Sequence, residues 1–232
     1  MKIILCYDTH QQSDQVKYDY EYQGHVLHIT EGDNDYMHRV ATLTDEPRYI
    51  RLDAVPLYRF VSSLCWKCKA PVYLGMVTGF GYENGDALDG RRFDRATGYQ
   101  IPTNLFEPTC LDQEVALGLY REGKSADSPF YGFLTNFKIM EIAIGRPHAV
   151  VKWIDSNIAR VRNNKLRIQE LNDVNNIGKT VLDIRNGIAH AFGHKQLVDV
   201  DGFPHLRDLN ILRLMLEELV ERVLVEILGF HD

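Results

Sequence analysis

No part of this chain approaches the ~20 consecutive apolar residues that a helix needs to cross a bilayer. The opening "MKIILCYDTH" holds only a short apolar run before Asp8, too short for a secretory core, and no small-residue cleavage site follows. Cysteine is scarce. Four in 232 residues are too few for a disulfide framework, and without an export signal they read as reduced thiols in a cytoplasm. Positive charge is not in excess either. A formal net charge of −6 excludes a general nucleic-acid coat or a cationic membrane binder, while leaving room for a local basic patch. Internal repeats and low-complexity tracts are absent. The expectation is a soluble, cytoplasmic protein without a membrane partner.

Several chemical signatures fail on spacing. "CWKC" (Cys65 to Cys68) has the spacing of a redox or zinc pair, but a closed zinc site needs four ligands and no second CxxC exists. Cys6 and Cys110 stand alone, so two partly buried thiols are the plain reading, with a composite site using a histidine left open. "IGKT" (177–180) invites a phosphate-loop reading, yet the first glycine position of that motif holds Asp173. "GFGYENG" (79–85) has the wrong spacing for a dinucleotide fingerprint. His10, His25, His28 and His38 are scattered, and His25 and His28 differ in strand parity, so no shared metal is expected. No G-x-S-x-G elbow appears. No cofactor and no metal are expected.

What is present divides the chain near residue 108. Its length suits two small domains. Before that point, "VKYDYEYQGHVLHIT" (16–30) reads as two strands meeting at Gln23-Gly24. "PRYIRLDAV" (47–55) and "APVYLGMVTGF" (70–80) are further strand candidates. "PLYRFVSSLCWKC" (56–68) has the apolar spacing of a helix packed on a sheet, with Pro56 at its start. The stretch that follows is rich in Gly, Asp and Asn and reads as a long loop.

After Pro108 the strand signals stop. "DSPFYGFLTNFKIMEIAIG" (127–145) opens on Asp127, Ser128 and Pro129 and stops at Gly145, a helix with both ends marked. Residues 146–164, 165–178 and 179–194 read as three more helices. A short hairpin is expected near Asp201-Gly202, before a final helix over 206–230. That last helix is apolar over more than one face, so it either sits centrally in one chain or meets a partner subunit. The expected fold is α+β: a small antiparallel-sheet domain with one helix over residues 1–108, then an all-α bundle of four to five helices over 109–232.

"DIRNGIAHAF" (183–192) sets Arg185, Asn186 and His190 close together in an otherwise apolar, helix-compatible run. Asn186 and His190 are four apart and share a face, so the amide could orient the imidazole. Gly187 costs ~1 kcal/mol in a helix relative to alanine, which a close backbone approach would explain. Histidine moves protons near neutral pH, and arginine offers a fork of donors matched to phosphate. Together they suit attack of a ribose 2′-OH on the adjacent phosphate without a metal. The structural alternative is that His190 caps its helix while Arg185 pairs with Asp183 or another carboxylate.

"IRNGIAHAF", late in a helical bundle and followed by a long terminal helix, resembles the R-x4–6-H signature of the HEPN superfamily. The resemblance covers roughly residues 110–230. It implies a bundle that forms a homodimer, joining two such motifs in one cleft, and a metal-independent endoribonuclease of toxin or phage-defence type. By that implication His190 transfers protons, Arg185 clamps the phosphate, Asn186 supports them, and Glu141 in "NFKIMEIAIG" matches an acidic residue of an earlier helix. The superfamily also contains non-catalytic binding modules. Another of its branches shows a tyrosine two residues after the histidine, where this chain has Phe192. The whole layout is also similar to MauJ-type proteins associated with methylamine-utilisation clusters, a likeness that names no activity.

Residues 146–167 carry Arg146, Lys152, Arg160, Arg162, Lys165 and Arg167 against Asp155 alone. An RNA backbone could follow this stripe, with Trp153 stacking a base. The alternative is a solvated face paired with Glu217, Glu218 and Glu221 of the last helix. Within the RNA-cleaving reading, residues 1–108 form a recognition or regulatory domain of unassigned ligand.

Overall fold

The computed structural model describes residues 2–6, 17–30, 38–42, 55–74, 104–162, 168, 171, 176–189 and 203–231. The chain divides into two units, Met1–Pro108 (with Asp232) and Thr109–His231. The architecture is α+β and mostly helical, a small sheet unit followed by a helical one.

Five strands build the first unit: β1 (Lys2–Cys6), β2 (Lys17–Tyr22), β3 (His25–Thr30), β4 (His38–Thr42) and β5 (Tyr73–Leu74). Helix α1 (Val55–Cys68) lies between the last two in sequence. The sheet order is β2-β3-β4-β1-β5. Pairing is antiparallel across β2, β3 and β4, as the alternating sequence leads one to expect. It becomes parallel from β4 to β1 and from β1 to β5, which makes the sheet mixed. The parallel part was hidden in "KIILC", a continuous apolar run of the kind a strand covered on both faces carries, with no alternation to mark it.

The β2–β3 turn forms where expected. Gln23 and Gly24 both have positive φ (50° and 73°), the paired left-handed residues of a two-residue hairpin whose twist matches its strands. Beyond the turn, Leu27 and Ile29 are buried and Val26 is half exposed, the period-two alternation of a one-sided sheet. On the same face Tyr20 and Tyr22 set their rings edge-on to Phe60 of α1, at 5.3 and 5.7 Å between centroids. The Tyr22 hydroxyl shares a 2.6 Å hydrogen bond with buried Ser63. Of the expected strand 47–55, only Val55 lies among the described residues, and it opens α1.

The second unit contains α2 (Leu111–Ser125), α3 (Pro129–Ile144), α4 (Pro147–Asn157) continued by a 3-10 turn (Ile158–Arg160), α5 (Ile177–Ala189) and α6 (Phe203–Glu226). Helix α3 has the ends its sequence announces: Ser128 caps it, Pro129 opens it, and Gly145 closes it at φ 103°. Helix α4 stops earlier than expected, because the chain turns extended at Val161. Helix α2 was not foreseen at all. Its N-cap position is Cys110, whose side chain makes no cap hydrogen bond, so the usual start signal is missing. Most of the helix expected over 165–178, and the hairpin near Asp201, lie outside the described residues.

Helix α3 packs against α2 and α6, and α4 packs against α5. Leu209, Ile211, Leu212, Met215, Leu216, Leu219, Val220, Val223 and Leu224 of α6 are all buried within the single chain. Most of the wide apolar face is therefore covered within the chain, while Val225, at its end, is 48% exposed. No helix among the described residues is long and apolar enough to cross a membrane.

Candidate active site

Helix α5 carries the arginine motif, and its start is built by α4. The Gly178 amide donates to Asp155 Oδ1 at 2.8 Å. A side chain at Gly178 would meet the Val151 carbonyl at 2.6 Å and the Asp155 carboxylate at 2.9 Å, so only glycine lets the two helices come this close. The glycine of "IGKT" thus answers to packing, and Asp155, the one acid in the basic stretch, serves as a cap lent by another helix. One turn on, Lys179 and Asp183 pair at 2.5 Å.

Two turns from its start α5 meets the last turns of α3. Arg185 Nη2 donates to Glu141 Oε1 at 3.4 Å, and Nη1 donates to Asn186 Oδ1 at 3.1 Å. The guanidinium carbon stands 5.7 Å from the ring centroid of Phe137, one helical turn before Glu141. Phe137 is fully buried, whereas the Arg185 and Glu141 side chains are 25% and 24% exposed. The guanidinium is thus held by two hydrogen bonds and lies over the Phe137 ring, on a side chain that is a quarter exposed. Of its five N–H donors, the two bonds above use two, leaving three without a partner among the described residues.

Of the residues singled out in the sequence, Arg185, Asn186 and Glu141 are brought together. Asn186 turns its oxygen to Arg185. Asp183, named as an alternative partner for Arg185, is engaged by Lys179 instead. His190, Lys165 and Arg167 lie outside the described residues. Phe137 was not singled out, although its i, i+4 spacing from Glu141 was there to read.

The basic stretch splits in two. Arg146, at the N-terminus of α4, and Lys152 are exposed, and Trp153 is half buried beside them. Arg160 instead forks onto both carboxylate oxygens of Glu226 and also donates to Asn157 Oδ1 at 2.9 Å. That contact holds the Glu226 carboxyl below its ordinary range. The Arg162 amide donates to Glu218 Oε1 at 2.5 Å, and Arg222 Nη2 donates to the Arg160 carbonyl at 3.1 Å. Glu218, Arg222 and Glu226, spaced by four on α6, strap this segment down. Glu217 and Glu221 go elsewhere, to Lys124 of α2, with Tyr120 also donating to Glu221 at 2.8 Å.

In the first unit the Cys65 thiol is buried and donates to the Ala70 carbonyl at 3.1 Å. Burial pushes the Cys68 thiol up, away from a reactive thiolate. Among the described residues no group of three or more His, Cys, Asp or Glu could hold a metal ion.

Residues 116–225 match the family model described as methylamine utilization protein MauJ. The match covers α3, α4 and α5 whole, with most of α2 and α6, and includes Glu141, Asn186 and Arg185. It supports the MauJ-type likeness of the helical unit and touches none of the first unit. No curated protein and no solved structure matches the chain.

Proposed function

We propose that the helical unit is a metal-independent endoribonuclease of HEPN type, acting in a toxin or phage-defence setting. Arg185 binds the scissile phosphate and steadies the charge that develops on it. His190 takes the proton from the ribose 2′-OH and returns one to the departing 5′ oxygen. The products are a 2′,3′-cyclic phosphate and a free 5′-hydroxyl. Asn186 and Glu141 hold the arginine, while Arg146, Lys152 and Trp153 guide the strand, with Arg162, Lys165 and Arg167 beyond them. A second copy completes the cleft, a point that rests on the superfamily resemblance alone. Residues 1–108 recognise or regulate.

The observation that supports this reading is Arg185 itself: anchored by Glu141 and Asn186, its side chain a quarter exposed, with three N–H donors unmatched among the described residues. Arginine in such a state is preorganised for a phosphate. The test is cleavage of RNA in EDTA by the full chain, beside Arg185→Ala and His190→Ala. Activity that resists chelation and is lost in both variants supports the reading.

One observation favours a second reading, a non-catalytic binding module. Arg185 already has a carboxylate partner in its own chain, as a structural arginine would. On that reading neither variant alters RNA and both lower stability. The matched family is named for methylamine utilization, and the name assigns no reaction to either reading.

A further inference from the structure

We propose that Phe137 is a positioning residue whose ring face sets the plane of the Arg185 guanidinium. The consequence for RNA rests on the ribonuclease reading; the positioning itself rests on geometry. Phe137 and Glu141 sit four apart on α3 and present a ring and a carboxylate to the same group on α5. The ring is buried at 1% exposure, and the guanidinium carbon of Arg185, whose side chain is a quarter exposed, lies 5.7 Å from the ring centroid. At that range the negative face of the ring attracts the cation.

The two hydrogen bonds do not fix the plane alone. At 3.1 and 3.4 Å they are longer than the ~2.7–2.9 Å of a strong charge-assisted bond. Bonds of that length leave the guanidinium, tethered through Nε to its own stem, some room to tilt. The Phe137 ring, with the guanidinium carbon over it at 5.7 Å, favours one setting of the group. A fork kept in one plane can meet two phosphate oxygens at once, which is what distinguishes arginine from a lysine point charge at such a site.

The test is a fluorine series at position 137 of the full-length protein: phenylalanine, then its mono-, di- and trifluoro analogues, with Phe137→Leu beside them. Fluorine drains the ring face with little change of shape. Three quantities are read: the NMR shift and order of the Arg185 Nε–H group, the melting temperature, and kcat/KM for RNA cleavage in EDTA. The proposal expects the Arg185 signal to lose order stepwise with fluorine count. It expects kcat/KM to fall roughly two- to fivefold at trifluoro while melting stays put. An Arg185 signal with the same shift and order through the series and in Phe137→Leu overturns it. Should Phe137→Leu fail to fold, the fluorine series decides alone. An Arg185 signal that tracks fluorine in a protein that cleaves no RNA supports the positioning and removes the ribonuclease reading, so the two fail separately.

Discussion

Glu141 and Arg185 stand 44 residues apart in sequence and 3.4 Å apart in space, on α3 and α5. Each side chain is about a quarter exposed, so the pair is screened and contributes ~0–1 kcal/mol to stability. On the ribonuclease reading its worth is in orientation. Glu141→Gln is therefore expected to leave the urea midpoint nearly unchanged and to lower RNA cleavage about tenfold or more. Parallel unfolding and cleavage assays on the same preparation check this.

Gly178→Ala is expected to destabilise the helical unit by about 1–3 kcal/mol. The added methyl group meets the Val151 carbonyl at 2.6 Å, backbone that cannot move cheaply, and crowds the Asp155 carboxylate. Asp155→Ala removes the borrowed cap and is expected to cost ~1 kcal/mol. In the double variant the two costs are expected to fall short of their sum, because both act on one contact. Urea unfolding of the three proteins reads this directly.

Lys124 gathers Glu217, Glu221 and the face of the Tyr120 ring. Burial pulls its pKa down, but hydrogen bonds and charge from the two glutamates outweigh burial and raise it. A raised lysine contributes stability that is complete below its ordinary value of 10.5 and fades as pH climbs through the folded value. Lys124→Met takes a cation from two carboxylates, leaving Glu217 with Arg213 and Glu221 with the Tyr120 hydroxyl, and is expected to cost about 1–2 kcal/mol at neutral pH, part of it recovered by adding Glu217→Gln.

Tyr22 makes the first unit sensitive to alkali. Burial, the largest effect, pushes its hydroxyl up to about 12, although the bond to Ser63 works the other way. The unfolded chain ionises near 10.0, so between 10 and 12 only the unfolded state is favoured by losing the proton. Stability that is complete below pH 10 is expected to fall by about 2–3 kcal/mol by pH 12. Tyr22→Phe is expected to flatten that fall. Urea unfolding followed by circular dichroism from pH 8 upward tests it.

Legibility in the sequence followed the locality of the signal. The Gln23-Gly24 hairpin and the ends of α3 were readable because a few adjacent residues fix the backbone there. The parallel side of the sheet was not, since β1 pairs with segments more than 30 residues away and its apolar run has no period. Helix α2 escaped notice for lack of a capping side chain. At the site, Arg185, Asn186 and Glu141 were legible as residue types. That Asn186 faces the arginine, that Phe137 underlies it and that Asp155 caps α5 are tertiary facts, set by how helices pack. The apolar breadth of α6 is legible in its sequence, and most of it is buried within the chain, with α3 packed against it, while Val225 stays exposed.

The central claim is that Arg185 and His190 cut RNA through its own 2′-hydroxyl. Its most direct test is end-group analysis of RNA incubated with the full chain in EDTA. The account predicts 2′,3′-cyclic phosphate and 5′-hydroxyl ends, absent with Arg185→Ala and with His190→Ala. Intact RNA with the wild type, or the same fragments from both variants, would contradict it.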